Sequence, residues 1–135
     1  LRLIQHFATR MAAANGGAII QVSSIAGHMA LPFMAEYSAS KAYQLTLGEA
    51  LHYELKDHRI DFLTLSPGAT RSRRVSYGMA PTPVVRAALA ALGRQPSVIP
   101  GWRNKWSAFR HRYLKSRRAA VRSMGEFQRT QLKQK

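Results

Sequence analysis

A chain of 135 residues, 46% of them hydrophobic, has the length and composition of a single globular domain with a core of its own. The sequence contains no cysteine, which excludes disulfides, thiolate metal ligands and cysteine nucleophiles and is compatible with a cytoplasmic location. No apolar run reaches the ~18 residues that a membrane-spanning helix needs.

The net charge of +15 is concentrated towards the carboxyl terminus. Residues 1–61 contain five basic and five acidic residues, and residues 62–101 contain five Arg and no acid. Residues 102–135 contain eleven basic residues and the single acid Glu126. The composition therefore predicts an ordinary folded segment over residues 1–101 and a basic helical tail over residues 102–135.

The first half of the chain alternates between helical and strand patterns. An amphipathic stripe predicts a helix over residues 2–14, which Asn15-Gly16-Gly17 would end. Short apolar, β-branched runs predict buried strands at residues 18–23 and 59–66, and a long helical period over residues 36–57 lies between them. A strand, a helix and a strand in this order predict a right-handed crossover between parallel strands.

The alternation continues after the second strand, which Pro67-Gly68 would close. Residues 69–81 are rich in Arg, Ser, Gly and Pro and are expected to form a loop. A further helix is predicted over residues 83–92 and a short third strand over residues 97–99. The sequence therefore predicts an α/β fold built on a parallel sheet.

A group of polar residues is expected at one end of this sheet. Tyr37 and Lys41 are four residues apart at the start of the long helix, so both lie on one face, where a positive charge favours loss of the phenol proton. Ser24 follows the first strand and Pro67-Gly68 end the second, and ligands of parallel sheets bind at the carboxyl ends of the strands. A Ser hydroxyl can hold a carbonyl oxygen while Tyr37 transfers a proton to it, which suits hydride transfer with a nicotinamide partner.

Three stretches, in this order and spacing, resemble one family. "GGAIIQVSSIAG", "YSASK" and "LSPGATRS" are similar to the strand-Ser-Ser, Tyr-x-x-x-Lys and Pro-Gly signatures of the short-chain dehydrogenases/reductases. The resemblance covers residues 1–101. It implies a three-layer Rossmann-like fold and an NAD- or NADP-dependent oxidoreductase that interconverts a carbonyl and a secondary alcohol on a small-molecule substrate.

The resemblance also implies roles for individual residues. Ser24 would orient the carbonyl, with Ser23 as the alternative, and Tyr37 would be the acid/base. Lys41 would hydrogen-bond the nicotinamide ribose and assist Tyr37. Tyr37 would also contact the cofactor, together with three further residues: Pro67 and Gly68 would line the nicotinamide, and Ser72 stands where the family often has a Thr that bonds the carboxamide.

Two signatures of the family do not occur in this sequence. The Gly-rich phosphate loop G-x-x-x-G-x-G is absent, and so is the Asn-Asn-Ala-Gly stretch. We therefore expect the chain to be the C-terminal half of such an enzyme, without the amino-terminal cofactor-binding strands and inactive as an isolated fragment. The choice between NAD and NADP stays open, as does the identity of the substrate.

Other features allow several interpretations. An inactive truncated product is the first alternative, and a module that binds nucleic acid or a membrane surface through residues 102–135 is the second. No nucleic-acid motif is present, so a nucleic-acid partner is not expected, whereas peripheral membrane contact and a homo-oligomer both stay open. Within this tail, Trp102 and Trp106 are interpreted as an apolar anchor.

The loop and the histidines carry weaker signals. Arg71, Arg73 and Arg74 belong to a loop that covers substrate in the family, and either an anionic substrate or solvation would explain them. The His residues show no metal-ligand spacing, and His28 is expected in a solvated loop near the site. His52 is expected on the exposed face of the long helix.

Overall fold

A computed structural model of the chain describes residues 1–73 and 75–133. The predicted helices and strands are all present close to their expected bounds, and the parallel α/β class is confirmed. Arg74 and the last two residues of the predicted tail lie outside the described residues. The elements in chain order are α1 (Arg2–Ala13), β1 (Gly17–Val22), α2 (Ala35–Glu54), β2 (Ile60–Leu65), α3 (Pro81–Ala91), β3 (Ser97–Val98), α4 (Trp102–Phe109) and α5 (Arg117–Lys133).

The three strands form one parallel sheet in the order β1-β2-β3. β1 pairs with β2 along its whole length, from Gly17 opposite Ile60 to Val22 opposite Leu65. The central strand β2 is almost wholly buried, as predicted. The first strand is present as predicted, but the prediction that it is buried is wrong. β1 pairs with a neighbour on one side only, and Val22 is 54% exposed.

Alternate residues of β2 face two different helices. Leu63 and Leu65 pack in one apolar cluster with Val84 and Ala88 of α3. The intervening residues Phe62 and Thr64 lie against Gly48, and therefore against α2. The sheet thus has a helix on each face, which is the three-layer arrangement expected of a Rossmann-like fold.

The helix α2 approaches the sheet closely at Gly48. A Cβ atom at this position would overlap Thr64 Oγ1 and would lie 2.8 Å from Gln21 Oε1. His52, one turn further along α2, bonds the Phe62 carbonyl oxygen through Nδ1 at 2.8 Å. The expectation that His52 lies on the exposed face is therefore wrong, because its ring bonds α2 to the backbone of β2.

The tail folds back on the body of the domain. α4 leads into a π-helical turn, Arg110–Leu114, and α5 follows. Ala108 and His111 are the buried residues of α4 and this turn, whereas Trp102 and Trp106 are exposed, so the interpretation of the two tryptophans as an anchor is wrong. Among the residues that the structure describes, no helix combines the length and the apolarity that a bilayer crossing requires.

The close approach at Gly48 gives a prediction for stability. Ala is a better helix former than Gly by about 1 kcal/mol, yet Gly48→Ala should lower the free energy of unfolding by about 1–3 kcal/mol because the new methyl overlaps Thr64. Gly125→Ala in α5 is the matched control, since its Cβ would meet nothing closer than Pro32 at 3.4 Å. Denaturant unfolding of both variants measures the difference, and equal effects would contradict the contact.

Candidate functional site

The loops that follow β1 and β2 are joined to each other by backbone hydrogen bonds. Ser23 N donates to Leu65 O at 2.8 Å, and Ile25 N donates to Pro67 O at 2.9 Å. The parallel pairing therefore continues beyond both strand ends. Ser24 and the turn at Pro67-Gly68 are held side by side at the carboxyl edge of the sheet, as the sequence predicts.

The two adjacent serines have different hydrogen-bond roles. Ser23 Oγ is buried and donates to the Lys41 carbonyl oxygen at 2.8 Å, which ties the end of β1 to α2. Ser24 Oγ accepts from Ala26 N at 3.1 Å and caps the short 3₁₀ turn Ile25–His28. Because Ser24 Oγ is the acceptor in this bond, its own hydroxyl proton can be donated to another group.

The face of α2 that looks towards the end of β1 carries Tyr37, Lys41 and Gln44. Lys41 Nζ lies 5.9 Å from the centre of the Tyr37 ring. It donates to the Val22 carbonyl oxygen at 3.2 Å and to Gln44 Oε1 at 2.9 Å. An ammonium group has three donors, so two are used within the protein and the third can bond a ligand hydroxyl. Tyr37 is 42% exposed and accessible to a ligand.

The turn at Pro67-Gly68 lies against the beginning of the tail. A Cβ atom on Gly68 would stand 2.7 Å from Asn104 Oδ1, so the Asn104 side chain occupies that space. Asn104 Nδ2 donates to Pro100 O at 2.8 Å, which fixes this side chain. Position 68 therefore accommodates only Gly while Asn104 keeps this orientation.

Ser72 lies further out, in the loop between β2 and α3. Its backbone N–H donates to Val75 O at 2.8 Å, and Val75 N donates to Ser72 Oγ at 3.2 Å, so the two residues close a small turn. The base of the loop is closed by a bond from Met79 N to Ala69 O at 2.9 Å. Arg71 and Arg73 are exposed, and the expectation for Arg74 lies outside the described residues.

A cavity of about 710 Å³ lies on another side of α2. It is lined by the loop residues 27–32, by Ser38, Ala39 and Ala42, and by residues of the tail. Neither Ser24 nor Tyr37 nor Lys41 lines it, because positions 38, 39 and 42 point away from the Tyr37 face of the helix. This cavity is therefore distinct from the site predicted from the sequence.

His28 lines this cavity and is less exposed than the sequence suggests. Its Nε2 is buried without a hydrogen-bond partner among the described residues. Burial lowers the pKa of the imidazole below its usual value, Glu49 opposes this shift and Arg112 adds to it. Over residues 1–73 and 75–133, no cluster of three or more His, Asp or Glu side chains is placed to hold a metal ion.

The structure thus brings most of the predicted site together at one edge of the sheet. Ser24, Lys41 and Pro67-Gly68 are linked through Val22 and the paired loops, whereas Ser72 lies in a separate turn. Two contacting residues were missed, Gln44 and Asn104. Gln44 could have been found from its helical spacing to Tyr37 and Lys41, but Asn104 has no signal in the sequence.

These donors fit the nicotinamide end of a dinucleotide. Lys41 Nζ retains one N–H donor, and Ser24 retains its O–H donor. Both groups stand where the paired loops leave the sheet, the position at which ligands of such sheets bind. The observed hydrogen bonds therefore leave the necessary donors available.

A known protein family matches more than half of this chain. Residues 1–78 match the family model described as short chain dehydrogenase. The match includes β1, β2 and α2 and all six residues predicted to form the site.

Individual relatives extend the similarity into the tail. The chain is 30% identical to the 7beta-hydroxysteroid dehydrogenase of Collinsella aerofaciens, over 96% of this chain and 54% of that protein. A solved 7beta-hydroxysteroid dehydrogenase superimposes with a TM-score of 0.81 at 29% identity, over 90% of this chain and 51% of the other. A short chain dehydrogenase from Burkholderia cenocepacia, in complex with NADP, gives 0.72 at 36% identity, over 87% and 52%. The chain spans about half the length of the relatives it matches.

His28 leads to a prediction about pH. Because its pKa is lowered from 6.5 in the folded chain, the unfolded chain binds the proton more readily, and stability falls as the pH drops below about 6.5. We expect His28→Gln to lose less stability than the parent between about pH 7 and about pH 5. Denaturant unfolding across this range measures the effect. His58→Gln, at an exposed position, is the matched control, and an unchanged slope in His28→Gln would contradict the assignment.

Proposed function

Because this chain belongs to the short-chain dehydrogenase family, we propose that it carries the proton-transfer site of an NAD(P)-dependent oxidoreductase. The reaction interconverts a carbonyl and a secondary alcohol. A nicotinamide cofactor, when bound, would supply the hydride to the carbonyl carbon, and a proton from this chain would add to the carbonyl oxygen. Tyr37 is the proposed proton donor in the direction of reduction.

The placement of Lys41 beside Tyr37 is the observation that supports this proposal most directly. The ammonium is held by Val22 O and Gln44 Oε1 with its charge 5.9 Å from the centre of the Tyr37 ring. A fixed cation at this distance would stabilise the negative charge that develops in the transition state as the proton leaves. The hydrogen bonds to strand and helix keep the cation in place through the reaction, so little reorganisation is needed.

Ser24 is the proposed partner of Tyr37. Its hydroxyl proton would be donated to the carbonyl oxygen, which draws electron density from the carbonyl carbon. Its position is fixed on one side by the bond from Ala26 N and on the other by the pairing of the β1 and β2 loops. Ser23 cannot take this role while its own buried hydroxyl donates to Lys41 O.

Four residues are proposed to hold the nicotinamide portion of the cofactor. Lys41 would bond the ribose with its remaining donor, while the Pro67-Gly68 turn would pack against the ring. Ser72 would reach the carboxamide only after the loop moves, because its Oγ closes the turn with Val75. The Burkholderia relative binds NADP, which supports this class of cofactor and makes NADP the first one to test.

The substrate proposed for a first assay is a hydroxysteroid or the corresponding ketone. The names of the Collinsella relative and of the solved dehydrogenase place this activity in proteins that match nearly all of the present chain. Ser24 and Tyr37 are proposed to act on the reacting carbonyl alone, so they specify the reaction type and not the rest of the substrate. The choice of steroid as substrate therefore depends on the relatives alone.

Removing the phenol hydroxyl tests the proposal. In the protein produced from its full coding sequence, Tyr37→Phe should lower turnover by about 10²-fold or more, because the ring stays and the transferable proton is lost. Thermal unfolding should be nearly unchanged. Tyr53→Phe, the same substitution at an exposed position of α2, should have wild-type turnover. A Tyr37→Phe enzyme that reduces its ketone at the wild-type rate would overturn the proposal.

Substitutions of Lys41 and Ser24 should have different effects on turnover and on cofactor binding. Lys41→Ala should reduce turnover and also weaken cofactor binding, because the ammonium contacts both Tyr37 and the proposed ribose site. Ser24→Ala should reduce turnover and leave cofactor binding close to that of the parent. Steady-state kinetics and a cofactor titration separate the two, and Ser24→Ala with weakened cofactor binding and full turnover would contradict the role given to it.

A further inference from the structure

The outer side of α4 and of the π-helical turn that follows it carries aromatic side chains. Four of them are spaced four, three and four residues apart, which places them on one helix face. We refer to this group as the aromatic face. Its members and their exposed fractions are Trp102 (72%), Trp106 (53%), Phe109 (45%) and Tyr113 (65%).

The opposite side of the same segment is the one that packs on the domain. Ala108 is 4% exposed and His111 is 7% exposed. Asn104, on this side, contacts the turn at Gly68. In an ordinary surface helix the apolar stripe faces the core and the polar residues face the solvent. Here small and polar residues face the domain, so the aromatic rings do not contribute to the packing of the core.

Three of the four aromatic rings contact one another in a row. The Trp106 and Phe109 rings stack with centres 5.8 Å apart, and the Phe109 and Tyr113 centres are 5.3 Å apart. These contacts restrict the side chains before any partner binds. Large rigid rings lose little conformational entropy on binding, so such a surface is well suited to bury apolar area.

Positive charges border the aromatic face on both sides. By helical spacing, Arg103 and Arg110 lie along one side, and Lys105 and Arg112 lie along the other. The guanidinium of Arg103 is 5.5 Å from the centre of the Trp102 ring, and that of Arg112 is 5.6 Å from the Tyr113 ring. Aromatic and cationic groups therefore alternate across the same exposed surface.

The combination of aromatic rings and positive charges on this surface indicates which kind of partner could cover it. A second copy would bring the same positive charge to the interface, because residues 102–133 contain ten basic residues and one acidic residue. An apolar protein groove would leave the basic borders without partners. The boundary of an anionic bilayer offers both an apolar layer for the rings and a plane of negative headgroups for Arg and Lys.

We propose that residues 102–114 bind the surface of anionic lipid membranes. The segment lies parallel to the bilayer, the aromatic face enters the headgroup region, and the four bordering cations contact lipid phosphates and carboxylates. Trp and Tyr are the side chains that favour this depth of a bilayer. The contact is peripheral and is strengthened by the net charge of +15 on the chain.

Intrinsic fluorescence tests this directly, because Trp102 and Trp106 are the only two tryptophans of the chain. Phosphatidylcholine vesicles that contain about 30% phosphatidylserine should shift the tryptophan emission to shorter wavelength. In a flotation assay, the chain should float together with these vesicles. Affinity should be at least about tenfold higher than for phosphatidylcholine alone, and it should fall as salt is raised.

Two double variants separate the aromatic face from exposed aromatics in general. Trp102→Ala with Trp106→Ala should weaken flotation by about tenfold or more, with unfolding close to that of the parent since both rings are exposed. Tyr53→Ala with Tyr77→Ala removes two aromatic rings that are exposed elsewhere, and it should leave flotation unchanged. Equal losses in the two variants would contradict a defined lipid surface.

Other partners give different results in the same assay. Equal binding to neutral and anionic vesicles, or no binding to either, overturns the proposal. So does an emission shift that rises with protein concentration in the absence of lipid, which would indicate a second copy. A shift with single-stranded DNA but none with anionic vesicles would assign the surface to nucleic acid instead.

Discussion

The parallel pairing of β1 with β2 is the constraint on which the rest of the structure depends. The register brings Val22 opposite Leu65, and the hydrogen bonds from Ser23 N and Ile25 N continue it past the strand ends. Had the register shifted by one residue, each side chain of β1 would face the other layer. Ser24 would then no longer face the loop that carries Pro67-Gly68, and Lys41 would lose the Val22 carbonyl oxygen that holds its ammonium. The arrangement of the candidate site is therefore a consequence of backbone pairing.

The candidate site also depends on the position of α2 over the sheet. This position is possible because residue 48 is a glycine, which has no side chain. At Gly48 the helix comes close enough to Thr64 that no Cβ can be accommodated. The Nδ1 bond of His52 to Phe62 O then fixes the helix along its axis. Tyr37 and Lys41 stand at the other end of the same helix, so packing at its middle and carboxyl end determines where these two side chains meet the sheet. Residues far from the proposed chemistry thus position it.

Local patterns in the sequence were sufficient to predict the elements, the parallel α/β class and the meeting of Ser24, Lys41 and Pro67-Gly68. Helical period, β-branched runs and Gly-Pro signals are properties of neighbouring residues, and the crossover rule then orders the strands. The contacts that were missed join residues distant in sequence, as Asn104 does with Gly68 and His52 with Phe62. The two tryptophans were wrongly interpreted as an apolar anchor of the tail because hydrophobicity alone predicts burial. Their exposure follows from the small residues opposite them, Ala108 above all, which allow the helix to lie close to the domain.

The contact between Gly68 and Asn104 packs the Pro67-Gly68 turn of the candidate site directly against α4, the first helix of the tail. Since the Asn104 side chain fills the space beside Gly68 and is held by Pro100 O, the turn cannot shift towards it without displacing α4. A ligand whose binding displaced the turn would therefore also disturb the packing of α4, and thermodynamic reciprocity requires the converse in equal measure. A mutation in the tail is then able to alter ligand affinity although it touches no ligand.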